Sequence, residues 1–350
     1  MNAHPAFFRI DPPGDRVPVV LDSPHSGTDY PEDFRPAVPM AKLRQAEDAF
    51  VDELYACGPR LGALLLGARF PRSYIDPNRS VLDMDTALLD APWPGPAAAG
   101  RKTALGIGLI WRVLDSGEPI YDRKLTVEEV RRRITAYHQP YQKAVKDALD
   151  ETHGHFGAVW HLNCHSMPAL SSVISEEGPG KSRPDFVLGD RDGTTCEPAF
   201  TAFVAEALSG MGYEVKVNDP YKGVELVRAF SDPAAGRHSL QVEVNRRLYM
   251  DERTGARSPG FARLARDIER LVKAVCGYAA ERGSHRCAAG HDHGHDDSHC
   301  GHHHHGHGHE HAHGHEHAHG HEHAHGHEHA HGHDHDHGGG HPPHRPHDEH

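Results

Sequence analysis

Short apolar runs alternate along this chain with longer stretches whose apolar residues fall at helical spacing. Residues 17–21 form an apolar run that stops at Asp22-Ser23-Pro24-His25-Ser26-Gly27, which predicts a strand feeding a tight polar loop. Over residues 41–57, Leu43, Ala46, Phe50, Leu54 and Cys57 lie on one helical stripe that Gly58-Pro59 closes. Residues 63–66 and 73–75 read as strands, and the Pro-, Gly- and Ala-rich residues 83–103 as a long loop. Thr126 and Glu129 fit a capping box, because each side chain can satisfy a free amide at a helix start. That helix should run to about Asp150 with a kink at Pro140. Residues 158–162 predict a strand ending at Asn163-Cys164-His165-Ser166; 186–188, 214–217 and 239–244 are further strands, and 199–208 and 259–280 helices. Such alternation predicts an α/β fold, a mostly parallel central sheet flanked by helices, with its site where strands run out into loops. His25 and His165 each follow a predicted strand.

Composition divides the chain. Of its 37 histidines, 29 lie from His285 onward, which sets residues 1–283 apart from a histidine-rich segment, 284–350. The segment carries 11 acidic and 2 basic residues, so 9 of the 13 net negative charges belong to it. The body is then nearly balanced, and bulk charge gives no support for nucleic-acid binding. Its apolar share is about 43%, enough for a sizeable core. No run of apolar residues is long enough to span a membrane, and the N-terminus lacks a signal-peptide core. Cys57, Cys164, Cys196 and Cys276 are scattered, which suggests reduced thiols and a cytoplasmic protein. Within the tail, His-Glu-His-Ala-His-Gly repeats four times from His309 to Gly332, a composition too polar to fold without metal.

Three body segments carry chemistry by residue type: Ser23-Pro24-His25-Ser26-Gly27, the acids Glu47, Asp48, Asp52 and Glu53, and Asn163-Cys164-His165-Ser166. A catalytic zinc takes three protein ligands and leaves a position open, and His25, Asp48 and His165 can supply that set. Glu243 stands between valines in a predicted strand, where a carboxylate needs a partner or a task such as general base. Spacing alone leaves other readings open. The histidines can be hydrogen-bonded loop residues, the acids a solvated helix face, Glu243 an ion-pair partner, and Cys164 a thiol nucleophile or an inert core residue.

Several pieces in order resemble the N-formylglutamate amidohydrolase (deformylase) family. They are Ser-Pro-His-Ser-Gly at 23–27, Asp48-Ala-Phe-Val-Asp-Glu-Leu-Tyr55, Ile75-Asp-Pro-Asn-Arg79 and Gly108-Leu-Ile-Trp-Arg112. Cys164-His-Ser-Met-Pro168, Gly189-Asp-Arg191, Asp219-Pro-Tyr-Lys-Gly223, Gln241-Val-Glu-Val-Asn-Arg246 and Leu248-Tyr-Met-Asp251 follow, so the resemblance covers about residues 17–275. It implies a fold similar to zinc carboxypeptidases and cell-wall amidases, with His25, Asp48 and His165 as zinc ligands and Glu243 as the catalytic carboxylate. Arg79 and Arg246 match positions suited to substrate carboxylates, and Arg72 and Arg228 are further candidates. The chain departs from the family at Asn163, where Asp is frequent, and over residues 83–103.

The implied activity is zinc-dependent hydrolysis of an N-acyl amino acid, N-formyl-L-glutamate first, to formate and glutamate, a step of histidine degradation. The tail adds imidazoles suited to Zn²⁺ or Ni²⁺, with His302, His303, His304, His305, His309, His311 and His313 as candidate ligands, and would store or supply metal. A different reading makes the chain a zinc-homeostasis protein on a degenerate hydrolase scaffold. No nucleic acid or membrane partner is expected.

Overall fold

The computed structural model describes residues 2–4 and 6–289, with side chains over residues 6–283. Residues 290–350 of the tail, with all its candidate metal ligands, lie outside the described residues.

Eight strands form one sheet: β1 (Asn2–His4), β2 (Phe7–Ile10), β3 (Val19–Ser23), β4 (Leu64–Ala68), β5 (Val159–Met167), β6 (Phe186–Gly189), β7 (Val215–Val217) and β8 (Arg237–Asn245). Their order is β1-β2-β4-β3-β5-β8-β6-β7. The centre, β4-β3-β5-β8, is parallel throughout. The hairpin β1-β2 joins β4 antiparallel, and the parallel pair β6-β7 joins β8 antiparallel. The predicted α/β fold with a mostly parallel sheet is therefore present.

Helices α1 (Met40–Leu43), α2 (Val51–Leu54), α3 (Arg101–Ala104), α4 (Val127–Arg133), α5 (Gln139–Phe156), α6 (Pro198–Gly210), α7 (Glu225–Phe230) and α8 (Phe261–Ala289) complete the body. One core packs α4 and α5 on the sheet face that carries Val20, Leu64 and Leu66. The other packs α2, α6 and α8 on the face that carries Val19, Leu21, Leu162 and Val242. No helix among the described residues is long and apolar enough to cross a membrane.

The two-residue period of the central strands decides where polar groups go. In β5, Trp160, Leu162 and Cys164 enter the α6/α8 core, so His161, Asn163 and His165 share the opposite face. In β8, Leu240, Val242 and Val244 do the same, which leaves Ser239, Gln241 and Glu243 opposite. Asp22 of β3 pairs with Asn163, and His165 pairs with Glu243, so a buried polar column crosses three neighbouring strands.

Three sequence expectations are corrected. The helix over 41–57 is two short helices with a 3₁₀ turn at Arg44–Ala46, broken where Phe50 takes a left-handed conformation (φ 64°). The apolar stripe was real, but the chain turns at Glu47–Phe50 to bring Asp48 inward. Residues 73–75 form no strand: Ser73 and Tyr74 lie in a turn closed by the Tyr74 amide on Pro71 O (3.0 Å). His165 lies within β5 rather than after it, because the ladder with β8 runs on to Met167 past the end of the β3 pairing at Asn163, and buried polar residues along it satisfy one another. The helix opened by Thr126 does carry both capping-box bonds. Its expected kink near Pro140 is a π-helical turn at Ile134–His138, where proline's missing N–H frees the preceding turn to rearrange.

Candidate active site

The site begins at the end of β3. Gly27 has no room for a Cβ: one there would stand 2.3 Å from Phe70 O, so only glycine lets this loop pack on the Arg69–Phe70 backbone. Ser26 then ties the loop to the turn before α2, because its hydroxyl donates to Asp48 O (2.9 Å) and accepts from the Asp52 amide (3.2 Å). The Asp48 amide also donates to His25 O (3.0 Å). These bonds set Asp48 beside His25, 23 residues earlier.

His25, Asp48 and His165 converge, each buried, with one candidate ligand atom apiece all within 4.8 Å of one another. Asp48 Oδ2 lies 3.3 Å from His25 Nδ1 and 3.0 Å from His165 Nδ1. The far ring nitrogens have their own partners. His25 Nε2 meets Asp76 Oδ1 at 2.7 Å, and His165 Nε2 meets Asn163 Oδ1 at 2.7 Å. Asn78 Nδ2 also stands 3.0 Å from His165 Nε2, but on each ring the nearest partner of Nε2 is an acceptor, which favours the proton there and leaves both Nδ1 lone pairs facing the Asp48 carboxylate. Three lone-pair donors aimed at one point repel unless a cation stands among them. Two imidazoles and one carboxylate are a donor set that fits a divalent metal of zinc type.

Charge around the triad is arranged from outside. Arg72 and Arg246 both donate to the other carboxylate oxygen, Asp48 Oδ1 (3.3 and 3.0 Å), which turns Oδ2 toward the histidines. Burial alone would raise the Asp48 carboxyl, but the Arg72 guanidinium beside it holds it well below the usual carboxylate range. Asp76 is likewise held well below that range, with burial outweighed by His25 and Arg72. Arg72 also donates to Asp76 Oδ2 (3.2 Å) and stacks over the Trp111 ring (4.7 Å). Asp76, Asn78 and Trp111 therefore belong to the site although sequence reasoning singled out none of them. The signal lay in Ile75-Asp-Pro-Asn-Arg79, where only Arg79 stands out by residue type, and in Gly108-Leu-Ile-Trp-Arg112.

Beside the triad is a cavity of about 360 Å³ lined by His25, His165, Glu243, Arg79, Arg183 and Tyr221 among others. Glu243 keeps one bond, from Gln241 Nε2 (2.9 Å). Burial raises its carboxyl above the ordinary value, His165 pulls against this, and the negative Asp48 adds to it. Arg79 is buried in the cavity wall, with Nε on Ile107 O (3.2 Å), Nη1 on Asn78 O (3.3 Å) and no ion pair among the described residues. His138 Nε2 donates to Arg79 O (2.8 Å), so the π-helical turn helps fix this arginine's backbone. Arg228 pairs with Glu225 at the exposed surface and does not line the cavity. Among the other acids, Glu47 bonds to Tyr30 (2.6 Å) and Glu53 pairs with Arg257 at the surface. Cys164 points to the opposite face of the sheet from His165, and burial pushes its thiol well up, so it is an inert core residue.

The family model for N-formylglutamate amidohydrolase matches residues 17–250. A crystal structure of N-formylglutamate amidohydrolase from Ralstonia eutropha JMP134 is 50% identical, with a TM-score of 0.75 over 79% of this chain and 99% of that one. N-formylglutamate deformylase of Pseudomonas putida is 30% identical over 245 residues, 68% of this chain and 83% of that protein. The enzyme of the same name from Pseudomonas aeruginosa is 27% identical over 277 residues, 76% of this chain and 96% of that protein. With that family model spanning β3 to β8 and the cavity between them, the chain belongs to the N-formylglutamate amidohydrolase family, hydrolases of an amide bond.

Proposed function

We propose that this protein is a zinc-dependent deformylase, related in kind to zinc carboxypeptidases and cell-wall amidases, that cleaves N-formyl-L-glutamate to formate and L-glutamate. The observation that carries the reading is the meeting of His25 Nδ1, His165 Nδ1 and Asp48 Oδ2 at one point beside Glu243. His25, Asp48 and His165 would hold the ion. When bound, zinc supplies Lewis-acid polarisation of the amide carbonyl and acidifies water. Glu243 accepts the proton of the attacking water and delivers it to the leaving amine, a role that suits a carboxyl whose proton affinity burial has raised. Arg79 receives a substrate carboxylate, because a buried guanidinium without an ion pair gains most from a charged acceptor. Arg246 faces the same cavity but is engaged with Asp48, Ser166 and Gln45, so it orients the ligand carboxylate first.

The histidine-rich tail is proposed to store zinc for this site. A metal-handling protein on a degenerate scaffold is the weaker reading, since binding alone gives no task to a buried carboxylate at the cavity. The test is hydrolysis of a panel of N-formyl, N-acetyl and peptidyl amino acids with zinc supplied. N-formyl-L-glutamate should show the highest kcat/KM; failure to release formate from any N-formyl amino acid would reject the proposal.

A further inference from the structure

Asp22 makes no hydrogen bond to His25, Asp48 or His165, yet it lies at the base of the polar column beneath them. It is fully buried. Its Oδ1 accepts from His161 Nε2 (2.7 Å) and from Asn163 Nδ2 (2.8 Å), and its Oδ2 accepts from the Tyr141 hydroxyl (3.1 Å). Register places Asp22 opposite Asn163 on the neighbouring strand, so this contact is built into the pairing of β3 with β5.

The consequence passes through the Asn163 amide. An ionised carboxylate has no proton to give, so only the NH₂ end of Asn163 can face Asp22. The carbonyl end then faces His165 Nε2 at 2.7 Å. Two lone pairs at that distance repel, so Nε2 must carry the ring proton. Asn78 Nδ2 stands 3.0 Å from the same Nε2, but the Asn163 carbonyl is nearer at 2.7 Å, where two facing lone pairs cost more than two facing N–H groups at the longer distance. The Leu226 amide donates to Asn78 Oδ1 (2.8 Å), which directs Asn78 Nδ2 toward Asn163 Oδ1 (3.3 Å) as a second donor. With the proton on Nε2, the Nδ1 lone pair is free where Asp48 Oδ2 and His25 Nδ1 converge. A reversed amide would offer N–H to Nε2, drive the proton to Nδ1 and block that lone pair.

We propose that Asp22 is a positioning residue that sets the tautomer of His165 through the Asn163 amide, and so sets the affinity of the triad for a divalent metal. The inference rests on the metal reading given above. It also gives the Asn163 departure a physical sense: the carboxylate stands one strand away, and the amide hands its polarity on to the ring. Burial would raise the Asp22 carboxyl, but His161 and the Asn163 amide bond keep it below its ordinary value and hence ionised.

The test uses the full chain in chelator-buffered zinc and follows Tm against free zinc. Buffering makes the reading independent of zinc held elsewhere in the chain, and the rise in Tm begins where free zinc passes the dissociation constant. Asp22→Asn can present either face of its amide, so the Asn163 side chain is no longer oriented. Its Tm rise should need ~10–100-fold more free zinc than wild type. The double variant Asp22→Asn with Asn163→Asp should restore the wild-type onset. The carboxylate placed on β5 would accept directly from His165 Nε2, while the amide placed on β3 donates to that carboxylate. The oxygen of the same amide can still accept from Tyr141, and His161 can place its proton on Nδ1 toward Ser239 Oγ, now 3.0 Å away. Asn163→Asp alone would face two buried carboxylates and should lose both zinc and stability. An unchanged onset in Asp22→Asn overturns the proposal. Should that variant fail to fold, the double variant decides: a displaced onset, or failure to fold, overturns it. A wild-type Tm that ignores zinc would instead reject the metal site itself, and this role with it.

Discussion

His165 and Glu243 occupy paired positions on the parallel strands β5 and β8, with their side chains on the same face of the sheet. A candidate metal ligand and a candidate proton carrier are thus held by backbone ladders rather than by loops, which fixes their relative position before any substrate arrives.

That pairing makes Glu243→Gln the most direct probe of chemistry. The amide keeps the shape and the Gln241 contact but cannot take a proton. Turnover should fall ~10²–10⁴-fold with zinc affinity nearly unchanged. A variant with near-normal kcat would move the base elsewhere, and Asp52, whose carboxyl burial pushes up to about 6, would be the next to examine.

Replacing His25 or His165 by Ala should abolish activity together with the zinc-dependent rise in Tm. Each change removes one of three donors and leaves Asp48 facing a gap. Preserved zinc response in both variants would exclude this ligand set.

For Arg79→Ala the expected loss is in binding. Removing a charge-assisted hydrogen bond to a substrate carboxylate should raise KM roughly 10–100-fold, with kcat less affected. An unchanged KM for N-formyl-L-glutamate would free Arg79 of that role. Arg228→Ala, at the surface beside Glu225, should leave both constants as they are.

Glu129 gives a stability signature separate from the site. The Arg123 hydrogen bond, against burial and with the Thr126 amide, lowers its carboxyl from 4.5 to about 2. A depressed native value means the stabilisation is complete above the unfolded value and is lost as pH falls from about 4.5 to 2. Glu129→Gln keeps one acceptor for the Thr126 amide but loses the charge and the second oxygen that accepts from Arg123 Nη2 (2.7 Å). It should cost on the order of 1 kcal/mol at neutral pH, and the gap should close in acid denaturation below about pH 3.

The tail should bind several Zn²⁺ or Ni²⁺ ions, more weakly than the body site, with binding falling as pH drops below ~6.5 because imidazole must be neutral to ligate. If it supplies zinc, the full chain should keep activity longer than a chain ending at Gly283 as a chelator is added, with equal rates in ample zinc. Coincident loss curves would reject the reservoir.

Much of the site was legible one segment at a time. The apolar runs marked β3, β5 and β8, and the polar residues at their ends or among them marked His25, His165 and Glu243. Motif order also pointed to a family. Asp76, Asn78 and Trp111 were not legible, because each matters only through a neighbour at a large sequence distance: Asp76 through His25, Asn78 through Asn163, Trp111 through Arg72.

What the sequence by itself determined was local: alternation in the strands, the capping box at Thr126, the balanced body and the histidine repeat. Tertiary structure decided what local patterns cannot carry. It broke the helix over 41–57 so that Asp48 turned inward, and it committed Arg72 to two carboxylates and Arg228 to the surface. Strand register placed Asp22 against Asn163 and His165 against Glu243. The physical reason is that a side chain's role here depends on which lone pair or proton faces it across the sheet. That is set by pairing between strands about 140 and 80 residues apart, where sequence periodicity holds no information.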